Sequence, residues 1–173
     1  EIEFAVKLNP DRTGVFYLLQ IRPMVDNKMM LDEDLTEIPD EKTLIRSHNA
    51  IGQGVSNEVY DVVYVKTDDY SAYNNPAIAD EIDRINRRFL EEGRNYVLVG
   101  PGRWGSSDPW LGVPVKWPNI SAARVIVESG LTNYRVDPSQ GTHFFQNLTS
   151  FGVGYFTVND FLGDGVYNQA FLN

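Results

Sequence analysis

Alternation of apolar and polar positions opens the chain. Ile2, Phe4, Val6 and Leu8 alternate with Glu1, Glu3, Ala5 and Lys7. The segment Asn9-Pro10-Asp11-Arg12-Thr13-Gly14 then supplies turn chemistry. A second run, Val15 to Arg22, follows, and Pro23 closes it. Two such runs around an Asn/Pro/Gly loop predict a β-hairpin over 1–23. Centring the turn between Asp11 and Arg12 places Ile2 opposite Ile21, Phe4 opposite Leu19, Val6 opposite Tyr17 and Leu8 opposite Val15. The other face then pairs Glu3 with Gln20 and Glu1 with Arg22. A slip of one residue would break both sets.

Further along, the pattern changes period. Val59 to Val65 is β-branched and aromatic, which predicts a strand. Ile78, Ile82, Ile85 and Phe89 recur at helical spacing over 76–92, with Asp80, Asp83, Arg84, Arg87 and Arg88 off that face. Pro76 suits the first turn of this helix, and Gly93 ends it. Tyr96 to Val99 and Val125 to Val127 read as short buried strands. Between them lies a long Gly/Pro/Trp loop over 100–118. A short aromatic helix over 142–151 and a last strand over 153–158 complete the reading. Strands and helices interleave, so the class is α+β: a compact mixed sheet with two or three helices, preceded by the hairpin.

Composition narrows the chemistry. The 173 residues are 42% hydrophobic and 23% charged, which suits a folded domain of ordinary size. With no cysteine there is no disulfide framework and no thiolate nucleophile. Having only two histidines, His48 and His143, argues against a multi-histidine metal site. A net charge of −9 argues against nucleic acid as a partner. No apolar run is long enough to span a membrane, and the start carries no secretory leader, so a cytoplasmic location is expected. Between Asp26 and Glu41 stand seven acidic residues and one basic one, Lys28. This divides the chain into the hairpin (1–23), an acidic linker (24–42) and a compact α+β part (43–173). The first residues already read as the middle of a strand, so the hairpin is expected to be part of something longer.

The hairpin carries the first candidate chemistry. On a strand, residues two apart point the same way, about 6.5 Å apart. Glu1 and Glu3 therefore project together, with Gln20 and Arg22 facing them. Carboxylates suit Mg²⁺, which keeps substrate phosphates among its ligands. A guanidinium and an amide would position a transferring phosphoryl group. The plainer alternative is a solvated face with one cross-strand Glu1–Arg22 pair.

Glu1-Ile2-Glu3-Phe4, a hairpin, then Leu19-Gln20-Ile21-Arg22-Pro23 resembles the end of the nucleotide-binding domain of phosphoenolpyruvate synthases and pyruvate, phosphate dikinases, an ATP-grasp fold. The resemblance implies Glu3 as a Mg²⁺ ligand, with Glu1 in the family's acidic position two residues earlier. It implies Gln20 and Arg22 at the ATP phosphates, in catalytic and cofactor-binding roles. ATP and Mg²⁺ would be the cofactors, and pyruvate the expected acceptor, reached through a phosphohistidine. The rest of that machinery is missing. Neither Ser47-His48-Asn49-Ala50 nor Thr142-His143-Phe144-Phe145 matches the family's Thr-x-His-Ala pattern. There is no cysteine acid, and no glycine-rich nucleotide-cradling segment. The chain by itself is therefore expected to be inactive, and an upstream ATP-grasp portion is its expected partner.

The second part holds a further motif. Gly100-Pro101-Gly102-Arg103-Trp104-Gly105 spells G-x-G-x-x-G after a strand, but Pro109 and Pro114 exclude the helix a dinucleotide fold needs next. What remains is a rigid loop whose Arg103 and Asp108, together with His143 from a later polar stretch over 137–143, are candidates for a second, small-anion site. The alternative is that the tryptophans plug a core and the glycines make tight turns. The stretch 100–112, with Gly141-Thr142-His143-Phe144-Phe145-Gln146-Asn147-Leu148, is similar to the C-terminal region of large bacterial phosphoenolpyruvate synthase-like proteins. There an extra domain of unassigned role follows the ATP-grasp. A non-catalytic interaction or regulatory module is the rival reading of 24–173.

Overall fold

The computed structural model describes residues 2–10, 13–21, 37–52, 54–139 and 143–172. The side chains of residues 143, 149, 160 and 169 are outside that description. The class is mixed α and β. Eleven strands are described: β1 (Ile2–Leu8), β2 (Gly14–Ile21), β3 (Ile45–Arg46), β4 (Asn49–Ile51), β5 (Asp61–Tyr64), β6 (Tyr96–Pro101), β7 (Arg103–Trp104), β8 (Gly112–Val113), β9 (Ala123–Ser129), β10 (Gly154–Val158) and β11 (Val166–Tyr167). Two α-helices, α1 (Asn75–Glu91) and α2 (His143–Ser150), complete the list.

The core is a five-stranded sheet in the order β4-β10-β9-β6-β5. β5, β6, β9 and β10 run parallel, and β4 pairs antiparallel at one edge. Parallel strands need long crossovers, and α1 and α2 supply two of them. Both helices feed one cluster: Ile82 from α1 and Phe145 and Leu148 from α2 pack with Tyr96, Leu98, Ile126 and Tyr155. The opposite face buries Val99, Val127 and Val158 beneath Tyr167, with Ile45 and Leu172 against them. The β3–β11 ribbon lies on that side. With both faces covered, the central strands are almost continuously buried.

Helix α1 follows its sequence signals. Pro76 lies in its first turn. Its end is a two-bond cap: Gly93 takes a positive φ of 65°, Arg94 N–H donates to the Phe89 carbonyl and Gly93 N–H to that of Leu90. Two asparagines on its buried face were not legible from periodicity. Asn75 Nδ2 donates to the Pro109 carbonyl at 2.6 Å, while Asn75 Oδ1 accepts from Tyr70 Oη at 2.8 Å. Asn86 Oδ1 accepts from Tyr96 Oη and the Ala122 N–H, while Nδ2 donates to the Pro118 carbonyl. They bind the helix to the two loops that flank β8 and β9 (106–111 and 118–122).

The hairpin forms, but its register differs from the expectation. Ile2 pairs with Ile21 and Glu3 with Gln20, as the pattern required. Between Glu3 and Phe4 the register shifts, and beyond it Phe4 faces Leu18, Val6 faces Phe16 and Leu8 faces Gly14. Leu19 is the extra residue of a bulge. The turn causes this: Asn9 N–H donates to the Thr13 carbonyl at 2.9 Å and Asn9 Nδ2 to Thr13 Oγ1 at 3.0 Å. That closure sets Asn9 against Thr13, one residue earlier on the second strand than expected. Phe4 and Phe16 stack at 5.0 Å between ring centres. Apolar side chains line both faces, and nearly all are exposed, from Val15 at 43% to Leu8 at 76%.

Two further differences concern the middle of the chain. The 100–118 loop is partly ordered into a parallel ribbon, β7 with β8. The last part of the expected linker is tied down: Arg46 reaches Asp40 at 2.6 Å and the Ile38 carbonyl, and Asp40–Lys42 makes a 3₁₀ turn. Residues 22–36 lie outside the description.

Candidate functional site

Cross-strand pairing puts Glu3 directly opposite Gln20 at the open end of the hairpin. Glu3 is the one residue of β1 that is not exposed. Its cover comes from 143 residues further along: Gln146 Nε2, on α2, donates to Glu3 Oε1 at 3.2 Å. Of the expected quartet, Glu1 and Arg22 lie outside the described residues. Among the described residues no three His, Cys, Asp or Glu side chains gather as a metal site. The donors in place, one carboxylate opposite one carboxamide, offer oxygen ligands only. That suits a hard cation that draws its remaining ligands from phosphate and water.

The Arg103 loop leaves the carboxyl end of β6, where open α/β sheets place their ligands. Gly102 N–H donates to the Ser129 carbonyl, and Arg103 N–H to that of Leu111. A side chain at Gly102 would meet Tyr134 Cε1 at 2.6 Å, so glycine is required there by packing as well as by its φ of 70°. Trp104 is buried: its ring covers Gly100, and its Nε1 donates to the Val127 carbonyl at 2.9 Å. Trp110 is 65% exposed, so only one of these two tryptophans plugs the core.

The three residues expected for a second anion site are placed differently from one another. Arg103 is half-buried, and its Nε donates to the Asp137 carbonyl at 2.6 Å. Asp108 turns back on its own loop, with Oδ1 accepting the Trp110 N–H at 2.9 Å. No hydrogen bond or ion pair joins Arg103 to Asp108 among the described residues. His143 opens α2, but its side chain is outside the description. His48, 65% exposed, lies 3.3 Å from Asp164.

Sequence reasoning missed the polar centre of this region, Glu128. It extends the apolar run of β9 and is 5% exposed. Oε1 accepts the Trp104 N–H at 2.9 Å and the Ser139 hydroxyl at 2.5 Å. Oε2 accepts the Ser139 N–H at 2.9 Å and the Tyr155 hydroxyl at 2.5 Å. Four donors satisfy the carboxylate without a cation among the described residues. Burial, and then the Glu128 charge, push the Tyr155 phenol far above its ordinary range. The only sequence signal was an acidic residue prolonging a both-faces-buried strand.

Helix α2 joins these features. Phe145 and Leu148 anchor it in the core, and Phe145 meets Tyr155 edge-on at 5.1 Å. Phe144 packs over Gly105 so closely that a Cβ there would overlap its ring. Gln146, two residues on, reaches Glu3. Through these two side chains α2 touches both the hairpin and the 100–112 loop. No family model, curated protein or solved structure matches the chain.

Proposed function

We propose that the hairpin is the last Mg·ATP-contacting element of an ATP-dependent phosphotransferase resembling phosphoenolpyruvate synthase. In that reading Glu3 takes the metal, with Glu1 beside it, and Gln20 and Arg22 meet the phosphates. Pyruvate is the acceptor of the whole enzyme, which works in the cytoplasm, and the α+β part follows the ATP-grasp. The observation that supports it is the direct Glu3–Gln20 pairing on a hairpin whose other side chains are mostly apolar and exposed. A hairpin of two strands is marginal alone, and an apolar one is ordinarily the margin of a larger sheet. The described helices include none long and apolar enough to cross a membrane. In the full-length polypeptide Mg·ATP is expected to raise the melting temperature, and Glu3→Ala to remove that rise. Equal protection of the variant refutes the Glu3 role.

Arg103 favours a second reading, a small-anion site in the α+β part. Its Nε is fixed by the Asp137 carbonyl, and no hydrogen bond or ion pair engages its two Nη atoms among the described residues. Titration with inorganic phosphate, comparing the parent with Arg103→Gln, decides it: unchanged binding removes Arg103 from any anion site.

A further inference from the structure

Glu3 makes a polar contact between the hairpin and the α+β part, and the partner is a carboxamide. That choice matters chemically. An arginine or lysine in this place would cancel the charge of Glu3 and compete with a cation. A neutral N–H donor restrains one carboxylate oxygen and leaves the full negative charge for a metal. Such supporting bonds to a ligand's free atom are a general means of orienting metal ligands.

The support is itself well held. Gln146 sits between Phe145 and Leu148, both buried, so the backbone beneath it is anchored in the core. Ser150 Oγ donates to the Gln146 carbonyl at 2.9 Å. Phe144 against Gly105 keeps the start of the helix against the Arg103 loop.

We infer that the metal face of the hairpin is a composite site, in which Gln146 of α2 is the positioning residue for Glu3. The inference rests on the reading of Glu3 as a metal ligand and goes beyond it: the α+β part completes the site instead of merely following it. Gln146 acts through Glu3 and is not itself a catalytic residue.

The test uses the 173-residue chain with Mn²⁺ alone as the probe, free and bound ion being counted by electron paramagnetic resonance. Glu3→Gln is expected to abolish the binding. Gln146→Leu is expected to weaken it about tenfold, the lower end of losses from ligand-supporting residues. Gln146→Glu is expected to tighten it several-fold, because a second carboxylate then faces the ion. A residue that only packs would not give opposite changes for these two variants. Melting curves of both variants check that the fold is kept. If Glu3→Gln abolishes binding but both Gln146 variants stay within twofold of the parent, the Gln146 role is overturned and the Glu3 reading stands. If Glu3→Gln binds like the parent, or the parent binds no Mn²⁺ at millimolar concentration, the composite site falls, and the Glu3 reading is decided separately by the Mg·ATP melting test on the full-length polypeptide.

Discussion

Glu128 shows how much of this fold depends on a single polar residue. Its two oxygens each accept one backbone N–H, from Trp104 on Oε1 and from Ser139 on Oε2. Hydroxyls can turn round to accept, but backbone N–H groups cannot. Glu128→Gln therefore sets an amide N–H against a backbone N–H whichever way the side chain is turned. Leaving a buried donor unsatisfied costs about 1–3 kcal/mol. The expected result is a melting temperature lower by roughly 2–12 °C, at about 2–4 °C per kcal/mol for a domain of this size. A variant that melts with the parent would show that Trp104 and Ser139 are held by other contacts. Gly102 makes the complementary point, since a positive φ and the Tyr134 ring both exclude a side chain there.

Among the elements the sequence predicts, α1 kept its expected bounds, while the hairpin formed without its expected register. The 3.6-residue spacing of Ile78, Ile82, Ile85 and Phe89, with Pro76 and Gly93 as punctuation, located the helix to within a residue or two. The hairpin's existence was equally clear, yet its register was set by Asn9 and Thr13 closing the loop and by a bulge at Leu19. Alternation cannot specify register when both faces are apolar, because either register pairs apolar residues. The two core clusters include no hairpin residue. A chain beginning at Glu37 is accordingly expected to unfold cooperatively, with a melting temperature within a few degrees of the parent's. Its loss of exposed Phe4, Phe16, Leu8 and Leu19 should also lower binding of a hydrophobic dye. A non-cooperative melt would show that the hairpin is part of the domain's stability.

At the scale of the whole molecule, buried tyrosines mark both sides of the sheet. Burial pushes the phenols of Tyr70, Tyr96 and Tyr155 far up, and that of Tyr167 up to about 12. Their ordinary value is 10.0. Below it both folded and unfolded chains keep the protons, and the stability is whole. Above it the unfolded chain ionises first, so stability falls as pH rises, by up to about 1.4 kcal/mol per pH unit for each tyrosine. The melting temperature is expected to drop steeply above pH 10, and the share of the tyrosinate absorbance that belongs to these four phenols to appear together with unfolding. Full tyrosinate absorbance reached before unfolding would show that these hydroxyls are open to solvent. The arrangement that buries them also assembles the candidate site. Parallel strands carry the Arg103 loop to one end of the sheet, and α2 spans from that loop to Glu3.

The sequence by itself determined the mixed α and β class, the position of α1, the main strands and the Glu3–Gln20 pair. Each follows from local periodicity or from turn residues acting over a few positions. Tertiary structure alone decided the strand order, the burial of Glu128 by donors 11 to 27 residues away, and the contact of Gln146 with Glu3 across 143 residues. Pairings at such separations leave no periodic trace, because what selects them is the shared burial of faces and the need to satisfy every buried polar atom.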